Sequence, residues 1–310
     1  MEIKNYDTML EDVAWLQRAV SRDFHLNPPV SRDVVITEGG KNFTTAVDRA
    51  VEDVMRAELR NRWPDIGFLG EESDATVDGR YRWIIDPTDG TSIYAQGGDY
   101  YSMSLALADR ETGTVPLGVI YQPANDRQFF RQIGVPHPWM RTLEFQHKGD
   151  GTYLEISTPL LRPSKSTCPG EWLACAFGTS KHYDKIPGIK EKLKSVFEKE
   201  KYAAFEGREW GVIDARPAAG SSALFMADIA DGKRHAAVTF FQAAWDMAVG
   251  ALIARDAGCI VHCGTDVNTW TGGDLESQIA RCDKKTLINV SVFANPDVQE
   301  YFERKAGLRY

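Results

Sequence analysis

The sequence predicts an α+β N-terminal domain over residues 1–158 and an α/β C-terminal domain over residues 159–310. Three observations carry this reading. Two amphipathic helical patterns open the chain, four β-rich runs separated by Gly, Pro and Asp turns come next, and from about residue 155 strand-like and helix-like stretches alternate. Helices followed by consecutive strands build a largely antiparallel sheet covered by helices, whereas alternation builds an α/β layer. At 310 residues the chain is long enough for two packed units, since domains usually run about 100–200 residues.

Residues 6–24 place Met9, Leu10, Val13, Leu16 and Val20 at helical spacing, which predicts a first amphipathic helix. After the loop Asn27-Pro28-Pro29, residues 46–62 repeat the pattern with Val47, Val51, Val54, Met55 and Leu59 on one face. Residues 81–86, 101–109, 115–122 and 127–133 are rich in Tyr, Ile, Val and Leu and read as strands. The stretch 160–170, holding Pro163, Ser164, Lys165, Ser166 and Pro169, is the expected connection. Beyond it the reading is strand 172–177, helix 188–199, strand 201–205, helix 221–231, strand 236–240, helix 246–257 and strand 287–292. No internal repeat is present.

Composition narrows the function. A net charge of −8 leaves no basic surplus to neutralise a phosphate backbone, so no nucleic-acid partner is expected. A small phosphorylated ligand stays open, because bound cations reverse the local field. No run approaches the roughly 18 consecutive apolar residues of a membrane span. The polar start, Met1 to Thr8, does not read as a secretory leader, so no membrane partner and a cytoplasmic location are expected. The five cysteines, at 168, 175, 259, 263 and 282, and the six histidines are scattered. They fit no zinc spacing and read as thiols in a reducing compartment.

The chemistry concentrates in Trp83-Ile84-Ile85-Asp86-Pro87-Thr88-Asp89-Gly90-Thr91. A buried-looking strand runs straight into this turn. Pro87 fixes its own φ and pushes Asp86 toward an extended backbone, while Gly90 permits a tight turn and a close approach to a ligand. Two carboxylates on a stiff turn converge at the strand end. Such hard oxygen donors suit Mg²⁺, Mn²⁺ or Ca²⁺ rather than zinc. Taken alone the segment is equally a good turn former. Gly70-Glu71-Glu72-Ser73 follows the apolar run 66–69 and sets Glu71 at another strand end. Far downstream, Ala244-Trp245-Asp246 opens an apolar helix; Asp246 there serves as a helix cap, an anion at the helix N-terminus, or both.

These three segments, in this order and at these distances, resemble the inositol monophosphatase superfamily. Two more agree: Thr44-Thr45-Ala46-Val47-Asp48 resembles the Thr-x-x-Asp segment opening that family's second helix, and Gly220-Ser221-Ser222-Ala223, 26 residues before Asp246, resembles its Gly-Ser/Thr helix start. The resemblance spans roughly residues 5–305. It implies a layered α-β-α-β-α sandwich of the sugar phosphatase type and Mg²⁺-dependent hydrolysis of a small phosphate monoester, with lithium sensitivity. By the same resemblance, Glu71, Asp86 and the Thr88 carbonyl hold one metal, Asp86, Asp89 and Asp246 a second, and a third, weaker ion lies near Glu71. Mn²⁺ is expected to substitute, Ca²⁺ and Li⁺ to inhibit. Glu71, Asp48 and Thr91 are the implied catalytic residues, with the Thr91 hydroxyl oriented by Asp48 to position and help deprotonate the attacking water. Gly90, Thr91, Ser92, Gly220, Ser221, Ser222 and Thr239 are the implied phosphate and substrate contacts, and a homodimer is the implied assembly.

Four departures bear on the substrate. Inositol-selective members carry an acidic residue seven positions before the Trp-Asp aspartate, where this chain has Thr239. The family's Gly-Thr-x-Asn-Phe becomes Gly90-Thr91-Ser92-Ile93-Tyr94. A Gly-Ala-Asp sequence becomes Gly232-Lys233-Arg234-His235, which puts positive charge at the pocket rim or on a solvated turn. A Lys-x-x-x-Asp segment is replaced by Gly39-Gly40-Lys41-Asn42. These argue against inositol phosphate and leave a sugar, cyclitol or amino-alcohol phosphate. Two alternatives remain: a nucleotidase removing the 3-prime phosphate of adenosine bisphosphate, suggested by Gly220-Ser221-Ser222 and Lys233-Arg234, and a catalytically silent binding protein on the same fold, whose signature would be a lost ligand carboxylate.

Overall fold

Helix α1, Tyr6–Ser21, forms where the spacing places it, and the Asn5 side chain caps its start by accepting from Thr8 N–H. The structure, a computed structural model, describes residues 3, 5–33, 35–36, 43–73, 79–144, 154–158, 160–167, 174–177, 188, 220–264 and 274–306. The helix does not stop at Ser21 but continues into a π-helical turn, Arg22–Leu26. A short ribbon, β1 (Val35–Ile36) against β2 (Phe43–Thr44), precedes α2, Ala46–Arg62. Thr45 and Asp48 close a capping box at the start of α2: the Thr45 hydroxyl accepts from Asp48 N–H and the Asp48 carboxylate accepts from Thr45 N–H.

Seven strands then form one sheet in sequence order: β3 (Gly67–Gly70), β4 (Tyr81–Asp89), β5 (Ser102–Asp109), β6 (Thr114–Gln122), β7 (Arg127–Gln132), β8 (Trp139–Glu144) and β9 (Leu154–Thr158). Only β3 and β4 are parallel. The period of two sorts the side chains by face. Trp83, Ile85, Met103, Leu105 and Leu107 pack with the apolar faces of α1 and α2. Ile84, Ala106, Ala108 and Ile120 point to the other side, into a second cluster built by C-terminal helices. The sheet is therefore covered on both faces, which is why its strands read as continuous apolar runs. A short helix α3, Thr91–Ala95, follows β4 directly.

The C-terminal half supplies α4 (Ser222–Ala230), α5 (Ala244–Asp256) and α6 (Leu275–Arg281) to that second cluster. Behind them lies a sheet of order β10-β11-β13-β12, with β10 Ala174–Phe177, β11 Ala236–Ala243, β12 Ile260–Gly264 and β13 Leu287–Phe293. It is mixed: β10 and β11 are parallel, while β13 runs antiparallel to both neighbours. Helix α7, Pro296–Ala306, closes the outside through Phe302 against Phe293, with ring centroids 5.4 Å apart. The described elements thus stack as helices, sheet, helices, sheet, helix.

The expected strand 81–86 extends to Asp89, and the expected helix 246–257 starts two residues earlier, placing Asp246 in the first turn of α5. Strands β8, β9 and β12 and helices α3, α6 and α7 had no counterpart in the sequence reading. The expected helix 188–199 and strand 201–205 lie outside the described residues, apart from Gly188.

Helices α4 and α5 touch through backbone. A Cβ added to Gly250 would lie 2.9 Å from Ala223 Cα and 3.0 Å from its carbonyl carbon. In an open helix Gly→Ala stabilises by about 1 kcal/mol. Here the helices must part, an overpacking cost of about 1–3 kcal/mol. Gly250→Ala is expected to lower the melting temperature by roughly 2–4 °C, measured by thermal unfolding; an unchanged or higher value would contradict this packing.

Candidate metal centre and active site

Register brings the first two carboxylates together. Gly70 of β3 pairs with Ile85 of β4, so Glu71 and Asp86 leave the parallel pair side by side. A buried acid holds the β3 exit from behind. Glu52 of α2 fills the space a Cβ on Gly70 would need, and its Oε2 accepts from Glu72 N–H at 2.8 Å. On β4 the ladder slips: Asp86 faces Ser104 and Asp89 faces Ser102, so three steps on β4 meet two on β5. This bulge contains Pro87, which has no N–H to donate, and Thr88. It swings Asp86 and Asp89 toward one side. Thr88 N–H donates back to Asp86 Oδ1 at 2.9 Å.

Asp246 arrives on α5, where its Oδ2 accepts from Ala243 N–H at 3.1 Å. Carboxylate oxygens of Glu71, Asp86 and Asp246 lie within 4.8 Å of one another. Asp89 sits on the N-terminus of α4, where its Oδ2 accepts from Ser221 Oγ at 2.6 Å and from Ala223 N–H at 2.8 Å. No Lys or Arg forms an ion pair with any of these four carboxylates among the described residues.

The electrostatic consequence is uniform. Burial, then the charges of Asp246, Glu72 and Asp48, raise Glu71 well above the ordinary carboxylate range. Burial, then Glu71, Asp89 and Asp246, do the same to Asp86. Burial and the Asp89 charge push Asp246 up to about 8. Asp89 is pushed up by burial to only about 6, because hydrogen bonds from Ser221, Ala223 and Ser222 oppose the rise. A divalent cation fits this arrangement: the donors are hard oxygens, they converge, and no protein cation balances them among the described residues.

Asp48 is 1% exposed and beside this cluster, but its contacts differ from the expectation. One carboxylate oxygen closes the α2 capping box, and the other, Oδ1, is buried without a hydrogen-bond partner. Burial raises its pKa, and the nearby Thr88 hydroxyl opposes that rise. The Thr91 hydroxyl donates to the Thr88 carbonyl at 2.9 Å instead of to Asp48. At the first position of α3, Thr91 has that carbonyl three residues behind it, within local reach.

Several implied substrate residues serve other ends. Ser221 is buried; its Oγ caps α4 by accepting from Leu224 N–H, donates to Asp89 and lies 2.8 Å from Ser102 Oγ. Ser222 Oγ donates to the Asp246 carbonyl at 2.6 Å. Both serines brace metal-ligand candidates. Thr239 is 0% exposed, and its hydroxyl both donates to and accepts from the Val290 backbone at 3.0 Å, so the site expected to receive a substrate hydroxyl is closed. Gly90 (φ 91°) and Gly220 (φ 67°) adopt left-handed backbone, and a Cβ on Gly90 would lie 2.8 Å from Ser221 N. Both must be glycine for the two turns to meet. Thr91 and Ser92 are partly exposed on α3, whose internal hydrogen bonds begin only at Ile93 N–H, so their amides face outward from the helix start.

The basic turn is structural. Lys233 pairs with Asp231 at 2.6 Å, and His235 Nε2 lies 3.0 Å from Ser164 Oγ. The Arg234 guanidinium lies 4.7 and 4.4 Å from the ring centroids of Tyr100 and Phe225, and its Nε donates to Tyr100 Oη at 3.1 Å. The Tyr100 carbonyl in turn accepts from Ser221 N–H. Residues 37–42, with the Gly39-Gly40-Lys41-Asn42 departure, lie outside the described residues. Tyr94 is buried, and its hydroxyl donates to the His25 carbonyl at 3.3 Å.

Sequence reasoning missed Glu52 and His25. Glu52 had a signal: it lies four residues after Asp48 on the apolar face of α2, and an acid there needs a reason. His25 had none. It is fully buried in the π-turn, with Nδ1 3.0 Å from Ser21 Oγ and Nε2 3.0 Å from Thr88 Oγ1. Burial pushes its pKa down to about 3 against the opposing Pro87 carbonyl, so the ring is neutral. Cys259, Cys263 and Cys282 are buried, and burial pushes their thiols up to about 12, 11 and 11.

Without a cation the folded chain binds more protons at Asp89 and Asp246 than the unfolded chain, from the ordinary carboxylate range of about 4 up to about 8. Their contribution to stability is present at low pH and lost as pH rises through that window. A bound cation removes the repulsion. The rise in melting temperature on exchanging EDTA for Mg²⁺ is therefore expected to be small at pH 5 and larger at pH 8. Equal rises at both pH values would contradict the coupling.

An inositol monophosphatase family model matches residues 12–296. Among curated relatives, an inositol-1-monophosphatase of Rhizobium meliloti is 26% identical over 254 residues, covering 81% of this chain and 82% of its own. A Nus factor SuhB of Pseudomonas aeruginosa is 25% identical over 268 residues, covering 84% and 86%. A solved structure of an IMPase from Thermotoga maritima shares the fold with a TM-score of 0.67 at 21% identity, over 97% of this chain and 98% of that one. With its family model matched across nearly its whole length, this chain belongs to the inositol monophosphatase family.

Proposed function

We propose that the chain is a Mg²⁺-dependent phosphatase that hydrolyses a small phosphate monoester, a sugar, cyclitol or amino-alcohol phosphate. The observation that carries this reading is the convergence of Glu71, Asp86 and Asp246, from β3, β4 and α5, on one spot with no Lys or Arg paired to them among the described residues. Glu71, Asp86 and the Thr88 carbonyl would hold one ion, and Asp86, Asp89 and Asp246 a second, with a third, weaker ion near Glu71. Paired divalent ions supply charge neutralisation for the phosphoryl group and lower the pKa of water. Such stabilisation is required, because phosphate-monoester hydrolysis is among the slowest uncatalysed reactions.

The remaining chemistry belongs to the chain. The outward amides of Thr91 and Ser92, with the Gly90 N–H beside them in the chain, would offer donors to phosphate oxygens. Thr91 Oγ1 spends its proton on the Thr88 carbonyl and keeps its lone pairs for a proton of the attacking water. Asp48 Oδ1, buried and unpartnered, is the acceptor for the proton that water gives up, with the neighbouring Glu71 sharing the role of base. Thr91 and Asp48 thus act on the same water without bonding each other.

The closed Thr239 supports a substrate other than inositol phosphate. The nucleotidase alternative loses its basic rim, because Lys233 and Arg234 are engaged with Asp231, Tyr100 and Phe225. The SuhB relatives keep a binding role in view, but four carboxylates without an ion pair among the described residues favour catalysis over silent binding. A homodimer in the cytoplasm, inhibited by Ca²⁺ and by Li⁺, completes the reading.

Phosphate release from a panel of sugar, cyclitol, amino-alcohol and nucleotide phosphates tests it. Activity is expected with Mg²⁺, weaker with Mn²⁺, and lost in EDTA. Asp89→Asn and Asp246→Asn are each expected to lower kcat by about a hundredfold or more, near 2.7 kcal/mol, while leaving a folded protein. Activity that survives exhaustive chelation, or a variant retaining a tenth of kcat, would sink the metal assignment.

A further inference from the structure

The bulge that carries Asp86 and Asp89 has lost part of the ladder that holds the rest of β4. Its pairing with β5 is interrupted between Asp86 and Asp89, and Pro87 has no N–H. The Thr88 N–H and carbonyl bond within the turn, to Asp86 and Thr91, and these bonds tie the turn only to itself and its exit. A support from another element is needed to fix where Asp86, the Thr88 carbonyl and Asp89 point.

We propose that His25 is that support, a positioning residue that sets the metal-binding geometry of the Asp86–Asp89 bulge through the Thr88 hydroxyl. The inference rests on the metal-dependent reading of the site. His25 Nε2 lies 3.0 Å from Thr88 Oγ1, and the ring also meets the adjacent Pro87 carbonyl. On its other side the ring reaches α1, with Nδ1 3.0 Å from Ser21 Oγ. Both partners are hydroxyls, each able to donate or accept, so the neutral ring bonds to Ser21 and Thr88 at once. The imidazole thus ties the end of α1 to the bulge.

The support is rigid on its own side. The imidazole stands edge-on to Tyr94, with centroids 5.4 Å apart at 89°, and tilted against Tyr101 at 5.5 Å. The His25 carbonyl accepts from Arg32 Nη2 at 2.8 Å and from Tyr94 Oη at 3.3 Å. Tyr94 belongs to α3, so the π-turn grips the chain on both sides of Gly90: the bulge through the imidazole, and α3 through the carbonyl. A π-turn at the end of α1 is a costly conformation for five residues, and such turns concentrate at functional sites. Here it aims an imidazole at the bulge.

The experiment is calorimetric titration of the apo protein with Mn²⁺, without substrate. Thr88→Val keeps the shape of the side chain and removes the hydroxyl. It is expected to weaken Mn²⁺ binding about 10-fold, the size of effect seen when groups behind metal ligands are removed. His25→Leu is expected to weaken it comparably, and the double variant no further than the worse single one, because both remove the same link. Thr88→Ser, which keeps the hydroxyl, is expected to bind as the wild type does. A support that merely stabilises the fold would lower the melting temperature in EDTA and leave the Mn²⁺ dissociation constant unchanged, and that result overturns the proposal. Fully additive losses in the double variant would overturn it as well. A wild type that binds no Mn²⁺ would instead overturn the functional reading itself, and is told apart from the other outcomes by that titration alone.

Discussion

The repulsion among clustered, largely desolvated carboxylates is the constraint around which the molecule is arranged. Two like charges about 4.8 Å apart repel by roughly 3–4 kcal/mol at an effective dielectric of about 20. Glu71, Asp86 and Asp246 make three such pairs, with Asp89 close by. A typical domain is stable by only about 5–15 kcal/mol. The cluster therefore requires protons or a cation, and it persists because several elements hold it. The parallel β3–β4 register, the bulge after Asp86, the capped start of α5 and the α4 terminus under Asp89 each fix one carboxylate. The backbone contact between Gly250 and Ala223 joins α4 to α5, and so joins the supports of Asp89 and Asp246.

Much of this frame was legible in the chain. The first two helices and the central strands follow from side-chain period, because each has a face or faces packed on apolar neighbours. Segment 83–91 was legible for a different reason: Pro87 and Gly90 restrict the backbone between fixed acids. What the sequence hid lies in tertiary contacts. His25 meets Thr88 across 63 residues, and nothing in the order Phe24-His25-Leu26 announces it. The weaker edge strands and the short helices α3 and α6 carry too few residues to show a period.

The substrate side was the least legible part. Motif position pointed Ser221, Ser222 and Thr239 toward a ligand, and in the structure their hydroxyls are buried and bonded within the protein. Arg234 shows the same lesson with opposite charge. A cation on a turn reads as a pocket-rim charge or a solvated one, yet it lies against two aromatic rings and steadies Tyr100, whose carbonyl holds Ser221. Around this site polar side chains work mostly for one another, and the groups left to meet a phosphate are backbone amides at the start of α3. That division suits a catalyst that grips the phosphoryl group tightly and the alcohol loosely.

The central claim is that Glu71, Asp86, Asp89 and Asp246 hold divalent cations. Anomalous scattering from crystals grown with Mn²⁺ tests it most directly. The account predicts strong peaks at the cluster, about 2.0–2.2 Å from the oxygens of Glu71, Asp86 and Asp246. A well-ordered site with no anomalous peak between those carboxylates at millimolar Mn²⁺ would contradict it.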